Sequence, residues 1–377
     1  MPPKIYISAT NCITPLGLDV ASNANALYEE RSAIALHQNA MMPKSYYSAI
    51  ISDQVIDSAF SEIANPADFS RLEKMMILAL SPVVNRNHPR DIRTGFILST
   101  TKGNINALFK ENGLPEAQLH FLAKKIAGFF GFVSQPIVIS NACVSGIMAV
   151  SVAKRLICSG MYDRIYIVAG DEVSEFVLSG FSSFQAMSDA PCKPYSKNRS
   201  GVTLGEAAAA ALVTNESADA KVEILGDGSM NDANHISGPS RTGEGLLLSI
   251  KSALDESGID TSEIGYISAH GTATPYNDEM EAIAFNRLGL QDVPLNSLKG
   301  YYGHTLGASG LLEVVMAIES VAQGQLFSSL GYDESGVSVP LNVIQKAENE
   351  KVRYFLKTAS GFGGCNTAVI FGTVDGK

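Results

Sequence analysis

No run of five or more basic residues occurs anywhere in this chain, and acidic side chains outnumber basic ones 38 to 28, for a formal net charge of −10. Both facts argue against a nucleic-acid partner, which needs a positive field to dock against. Charge of either sign is scarce, at 18% of residues against about 25% in an average domain. A chain so poor in charge hides surface in a large core, a subunit interface or both, so a homo-oligomer is the default expectation. CxxC pairs are missing, and no His/Cys cluster has metal-ligand spacing, so no metal is expected. The five cysteines are an odd number with irregular spacing, and the opening MPPKIYISAT has no apolar stretch of signal-peptide length. Free thiols in a reducing, cytoplasmic setting are the expectation.

Residues 126–153 carry no charge at all, a length that could cross a bilayer. Ser134, Gln135, Pro136, Ser140 and Asn141 interrupt the stretch, and Pro136 breaks a helix. The expectation is a buried strand followed by a buried helix, with no membrane partner.

Ten short β-branched runs are present, from Lys4–Ser8 to Thr367–Gly372, with helical patterns between them. Gly245–Ser257 is one such helix, with Leu246, Leu247, Ile250 and Leu254 on one face and Gly258 placed to end it. Strands alternating with helices indicate α/β architecture in a chain of 377 residues. The runs fall into two similar series. TGFILSTTKGN from Thr94 parallels IGYISAHGTAT from Ile264, and RIYIVAGDEVSE from Arg164 parallels VRYFLKTASGFGG from Val352. Order is kept, so two half-chains of like topology are expected, residues 1–213 and 222–377, joined by a polar stretch.

Four segments carry candidate chemistry. In SNACVSGIMAV a strand ends and an apolar helix begins near Cys143. A thiol at a helix N-terminus faces unpaired N–H groups and a positive dipole end, which lower its pKa. Cys12, Cys158 and Cys192 lack this context and read as buried thiols. In SAHGTATPYNDEMEA, His270 leaves a strand into a turn that offers two hydroxyls, Thr272 and Thr274. Asp278 and Glu281 follow three apart, on one helix face. In SLKGYYGHTLGASG, Lys299 and His304 flank a glycine turn that occupies the place of the Cys143 loop in the second half. Equivalent loops of a duplicated fold meet at its pseudo-twofold axis, which would bring thiol and imidazole into one pocket. In ASGFGGCNTAVIFG, Gly361, Gly363 and Gly364 leave backbone N–H groups free to point at an anion. Cys365 lies inside that turn and is set aside as a second catalytic thiol.

ACVSG, AHGTATP, LKxxxGHTxGASG and SGFGG, in this order and spacing, resemble the elongating β-ketoacyl-acyl carrier protein synthases of the thiolase superfamily. PYSKNRSGVTLGEAAAAALV from Pro194 is similar to a further family stretch, and the resemblance runs nearly end to end. It implies a five-layered α-β-α-β-α fold and a decarboxylative condensation in fatty-acid or polyketide biosynthesis. Cys143 would carry the acyl thioester, with an oxyanion hole from its own N–H and that of Phe362, flanked by Gly361 and Gly363. His270 and His304 would act on the malonyl thioester, and Lys299, paired with Glu281, would hold their geometry. Thr272 and Thr274 would bind the phosphopantetheine arm of the carrier protein, so no resident cofactor is implied. Phe362 would be the gate. Arg71 and Lys74 are similar in position to basic residues the family uses to dock the carrier protein, with Lys193 as a candidate to join them. A homodimer is implied, or a heterodimer with another ketosynthase-like subunit. The rival expectation is a non-catalytic subunit resembling chain-length factors. Ser360 stands where a second Phe is frequent, and Tyr276, Tyr301 and Tyr302 add bulk near the histidine turns. Those departures point to a specialised pathway, with Phe362 and Tyr302 walling the acyl pocket.

Overall fold

The computed structural model describes residues 3–38, 42, 44–84, 88, 91–232 and 238–374. Among them, ten strands form one mixed sheet. These are β1 (Tyr6–Ile13), β2 (Thr94–Ser99), β3 (Ile137–Ile139), β4 (Arg164–Asp171), β5 (Ala207–Thr214), β6 (Val222–Asn231), β7 (Ile264–Ser268), β8 (Leu295–Asn296), β9 (Tyr354–Gly361) and β10 (Cys365–Thr373). Each overlaps one of the ten β-branched runs, though several strands extend well past the run, as Tyr6–Ile13 does past Lys4–Ser8. Their order is β8-β7-β9-β10-β6-β1-β5-β4-β2-β3. Outward from the β1/β6 seam, both halves therefore run first, fifth, fourth, second, third strand. In each half the fifth strand is antiparallel to its neighbours, and the second, third and fourth are mutually parallel. The seam pairs Tyr6 with Glu223 and Ile7 with Val222.

Strand alternation sorts the core into layers. Along β5, Ala207, Ala209, Ala211 and Val213 face a central cluster, while Ala208, Ala210 and Leu212 face an outer one. Ile165 and Ile167 of β4 point inward, Tyr166 and Val168 outward. Helices α1 (Arg71–Leu80) and α2 (Leu119–Phe130) cover the outer face of the first half. The central layer is α3 (Ser145–Cys158), which precedes helix α4 (Glu175–Ser183) in the chain. Helices α5 (Glu244–Ser257) and α6 (Pro275–Arg287) cover the second half, and α7 (Ser309–Gln323) completes the central layer beside α3. The result is a thiolase-like α-β-α-β-α sandwich.

Two glycines set the spacing of the central pair. A Cβ on Gly146 would lie 2.7 Å from the Gly307 carbonyl oxygen and the Leu311 nitrogen, and one on Gly310 would lie 2.5 Å from the Ile147 nitrogen. The approach is reciprocal, α3 against the start of α7 and α7 against the start of α3. Among the described residues, one helical segment, Leu306–Gln323, is long and apolar enough to cross a membrane, yet most of it is buried here. The uncharged stretch 126–153 becomes the end of α2, strand β3 and most of α3. β3 is only half-buried, because it forms the sheet edge rather than an interior strand. Helix α5 ends at Gly258 in the left-handed region, φ 68°, as its sequence requires.

Candidate active site

Cys143 sits in the turn between β3 and α3. Ala142 has φ +44°, a conformation that costs a non-glycine residue energy and persists only where neighbours impose it. Ser145 imposes it: its Oγ accepts from the Asn141 N–H (2.8 Å) and donates to the Ala142 carbonyl (2.6 Å). The kink sets the thiol at the mouth of α3, one residue before the helix cap Val144.

His304 leaves the glycine turn that begins at Lys299, and its Nε2 lies 2.9 Å from Cys143 Sγ. Its Nδ1 is 2.9 Å from Ser309 Oγ, which also accepts from the Thr305 N–H. His270, just past β7, stands at right angles to it, with ring centroids 5.2 Å apart. All three side chains are buried. Burial, then Lys299, holds both imidazoles well below the ordinary histidine value, so both are neutral near pH 7. Burial also pushes the Cys143 thiol up to about 12. This corrects the expectation of a depressed thiol pKa: dehydrating a thiolate here outweighs the helix end and Lys299. The resting pair is a neutral thiol against a neutral imidazole, and Sγ can donate to Nε2.

Glu281 does not pair with Lys299, which corrects the second expectation. It accepts the backbone N–H of His270 (2.9 Å) and of Gly271 (2.7 Å), and the Tyr195 hydroxyl (2.9 Å). Asp278, one turn earlier on α6, accepts from Thr272 N (2.9 Å) and Tyr195 N (2.7 Å). Burial pushes its carboxyl up to about 7. The i, i+3 pair thus folds the His270 turn through its backbone. Lys299 pairs instead with Glu313 of α7, at 2.6 Å. Its Nζ donates to the His270 carbonyl and lies 3.4 Å from His270 Nδ1. An ammonium only donates, so Nδ1 accepts and Nε2 keeps its proton. The ligand atoms of Cys143, His270 and His304 lie within 4.8 Å of one another. With its Nδ1 engaged in this way, His270 presents a donor to the pocket rather than the lone pair a metal needs.

A cavity of about 460 Å³ opens onto this trio, and Thr272, Thr274 and Phe362 line it. The two threonine hydroxyls lie 2.9 Å apart. A Cβ on Gly361 would sit 3.1 Å from the Cys143 nitrogen, so the glycine turn lies directly over the Cys143 backbone. Gly363 and Gly364 adopt φ +89° and +78°, and the Gly364 N–H is used inside the turn by the Gly361 carbonyl. Phe362 stacks on Phe181 and meets Phe184 edge-on, both at 5.5 Å. Cys365 is buried, and burial pushes it up to about 11. Tyr301 and Tyr302 are fully buried in the central core, so Tyr302 is no pocket wall; it packs behind the histidine turn. Tyr276 stays exposed at the cavity rim.

The three residues expected to dock the carrier protein differ in what they present to solvent. Arg71 reaches inward: its Nη1 lies 2.9 Å from Glu206 Oε2, and its Nε pairs with Asp53. Glu206 is fully buried, and burial pushes neighbouring Glu172 up to about 7. Lys74 is held by Asp57, with its side chain 13% exposed. Lys193 is the exposed member, 3.8 Å from Asp333. Arg71→Ala strands a buried carboxylate, so unfolding free energy falls by about 3–5 kcal/mol. Urea denaturation reads that loss.

Sequence reasoning missed Glu313, Lys357, Asp171 and the phenylalanines Phe181 and Phe184. Glu313 and Lys357 had a signal, each being a lone charge in an apolar run. Asp171 ties the halves together by accepting from Thr100 Oγ1 (2.8 Å), Thr101 N (3.0 Å) and Gly307 N (2.8 Å).

Fold and site together define a thiolase-like protein with a Cys–His–His centre. Residues 95–219 match the family described as Beta-ketoacyl synthase, N-terminal domain, and residues 222–333 its C-terminal domain. The chain belongs to the β-ketoacyl synthase family. It is 30% identical to a 3-oxoacyl-[acyl-carrier-protein] synthase 2 of Vibrio cholerae over 68% of this chain and 67% of that one. It is 27% identical to a putative mitochondrial 3-oxoacyl-[acyl-carrier-protein] synthase of Schizosaccharomyces pombe over 98% of both. Among solved structures, a chain of a ketosynthase in complex with its chain length factor from Xenorhabdus doucetiae superposes with TM-score 0.86 at 25% identity, covering 99% of this chain and 98% of that one.

Proposed function

We propose that this chain catalyses decarboxylative Claisen condensation of an acyl-enzyme thioester with malonyl-acyl carrier protein, giving a 3-oxoacyl-carrier protein. The observation that carries the reading is the buried thiol 2.9 Å from one neutral imidazole, with a second facing the same cavity. Cys143 Sγ attacks the donor thioester, and its proton passes through His304 Nε2 to the departing pantetheine thiol. The malonyl thioester then loses carbon dioxide, and the electron pair of the broken C–C bond forms an enolate whose oxygen accepts from His270 Nε2–H. The enolate carbon attacks the acyl carbon, the C–S bond breaks, and Cys143 leaves as thiolate, which takes up one proton from solvent. Cys143 N–H and Phe362 N–H hold the tetrahedral oxyanion, and Thr272 and Thr274 bind the pantetheine arm. No resident cofactor enters this scheme.

The natural partner is an acyl carrier protein, and a charge-poor surface suits a dimer, with itself or with a ketosynthase-like subunit, in the cytoplasm. A non-catalytic chain-length-factor role is the weaker reading, because thiol and both imidazoles are in place. Phe181, Phe184 and Phe362 form an aromatic wall beside Cys143, which favours planar unsaturated or aryl acyl groups. Turnover on a ladder of saturated, polyunsaturated and aryl-primed carrier substrates tests both claims. The planar acyl groups are expected to turn over fastest. Fastest elongation of saturated chains of about twelve carbons (roughly 15 Å extended) would sink the aromatic-wall argument, and no product from any donor would sink the condensation.

A further inference from the structure

Behind the histidines lies a buried group that the chemistry above does not use. Lys357, near the middle of β9, is 0% exposed. Its Nζ donates to the carbonyls of Ser268 (3.1 Å), Ala269 (3.3 Å) and Thr358 (2.7 Å). Glu313 Oε2 lies 2.7 Å away; with the N–H groups aimed at carbonyls, this contact is an ion pair. Three donors meet three carbonyls and a carboxylate, a shell that replaces the hydration of an ammonium.

The arrangement has a direction. Ser268 and Ala269 immediately precede His270, and Lys299 takes the next carbonyl, that of His270 itself. Three consecutive carbonyls thus converge on two ammonium groups, and the two ammonium groups share one carboxylate, Glu313 Oε1 to Lys299 and Oε2 to Lys357. Sharing leaves Glu313 unable to neutralise Lys299 alone. Lys299 therefore keeps its positive field beside His270 Nδ1. The charged and titratable groups facing His270 are Lys299 from the turn at 299–302, Lys357 from β9, Glu281 from α6 through the backbone N–H, Glu313 from α7 behind Lys299, His304 and Cys143.

We propose that Lys357 is a positioning residue: by sharing Glu313 and clamping the Ser268 and Ala269 carbonyls, it fixes Lys299 on His270 and so keeps His270 a neutral Nε2–H donor. The inference rests on the condensation reading. Lys357 touches no reacting atom; it acts through Lys299 and the strand end.

The test is the pH profile of malonyl-carrier-protein decarboxylation by the full chain. In Lys357→Met a positive charge is lost near both imidazoles, so their protonated forms gain stability. The acidic limb is expected to move up by about one pH unit, a tenfold loss at a pH below it. Lys357→Arg keeps the charge and is expected to leave the limb in place, whatever happens to kcat. Acylation of Cys143, measured by mass, should persist in both variants and reports an intact fold. A Lys357→Met protein that acylates normally with an unmoved limb overturns the inference while the condensation reading stands. Absence of decarboxylation in the wild type overturns the reading instead. Should Lys357→Met not fold, ¹⁵N NMR of the wild-type histidines decides. A neutral His270 with its proton on Nε2 is expected throughout the range of activity, and an Nδ1–H tautomer or protonation near the ordinary value of 6.5 overturns the proposal.

Discussion

Cys143→Ala is expected to abolish condensation and to leave carbon dioxide release from malonyl-acyl carrier protein. The split follows from where the two half-reactions are held. Acyl transfer needs Sγ, and removing a nucleophile costs about 10⁵–10⁶ in turnover. Decarboxylation needs only a donor to the enolate oxygen, and His270 Nε2–H is fixed by Lys299, not by the thiol. With no acyl-enzyme to attack, the enolate takes a proton and leaves as acetyl-carrier protein. Radiolabelled acyl donor gives no covalent counts on the variant, while labelled carbon dioxide is still released. Stoichiometric acyl label on the alanine protein would remove Cys143 from its role.

His270→Ala and His304→Ala are expected to fail differently. The first takes away the enolate donor: decarboxylation falls by about 10²–10³, while Cys143, still 2.9 Å from His304, acylates at near its normal rate. The second takes away the base for the thiol. A thiol that burial holds at about 12 has almost no thiolate at pH 7, so acylation collapses while decarboxylation survives in part. Rapid-quench acylation beside carbon dioxide release separates the two. Equal loss of both steps in both variants would refute the division of labour. The pH dependence has a definite sign. Both imidazoles work neutral, and both are held well below 6.5, so activity persists as pH falls through 6.5 and is lost only at lower pH.

Much of this is legible in the sequence. Strand positions follow from β-branched runs bounded by turn residues, because most of the sheet strands are largely buried, the edge strand β3 aside. Cys143, His270 and His304 stand out because each leaves a strand through small residues, and the loops meet as equivalent loops should. What the sequence hid was partnership. Glu281 and Glu313 lie 32 residues apart on different helices, and no local pattern says which one meets Lys299; the packing of α7 against the sheet decides. The same holds for Arg71: a basic residue in a helix reads as solvated until Glu206, far along the chain, appears beneath it. The Cys143 thiol failed for another reason, since helix position is local but dehydration is set by the whole enclosing pocket.

The reciprocal contact of Gly146 and Gly310 carries one last consequence. Two separate copies of a half-chain, meeting across the same axis, would have to present identical loops to each other, thiol to thiol or imidazole to imidazole. Joining the halves in one polypeptide lifts that identity requirement. One loop is free to hold a thiol and the other an imidazole, and to differ in length and local fold, the second carrying a helical turn at Lys299–Tyr302 that the first lacks. What stays two-fold is the order of the strands that present them.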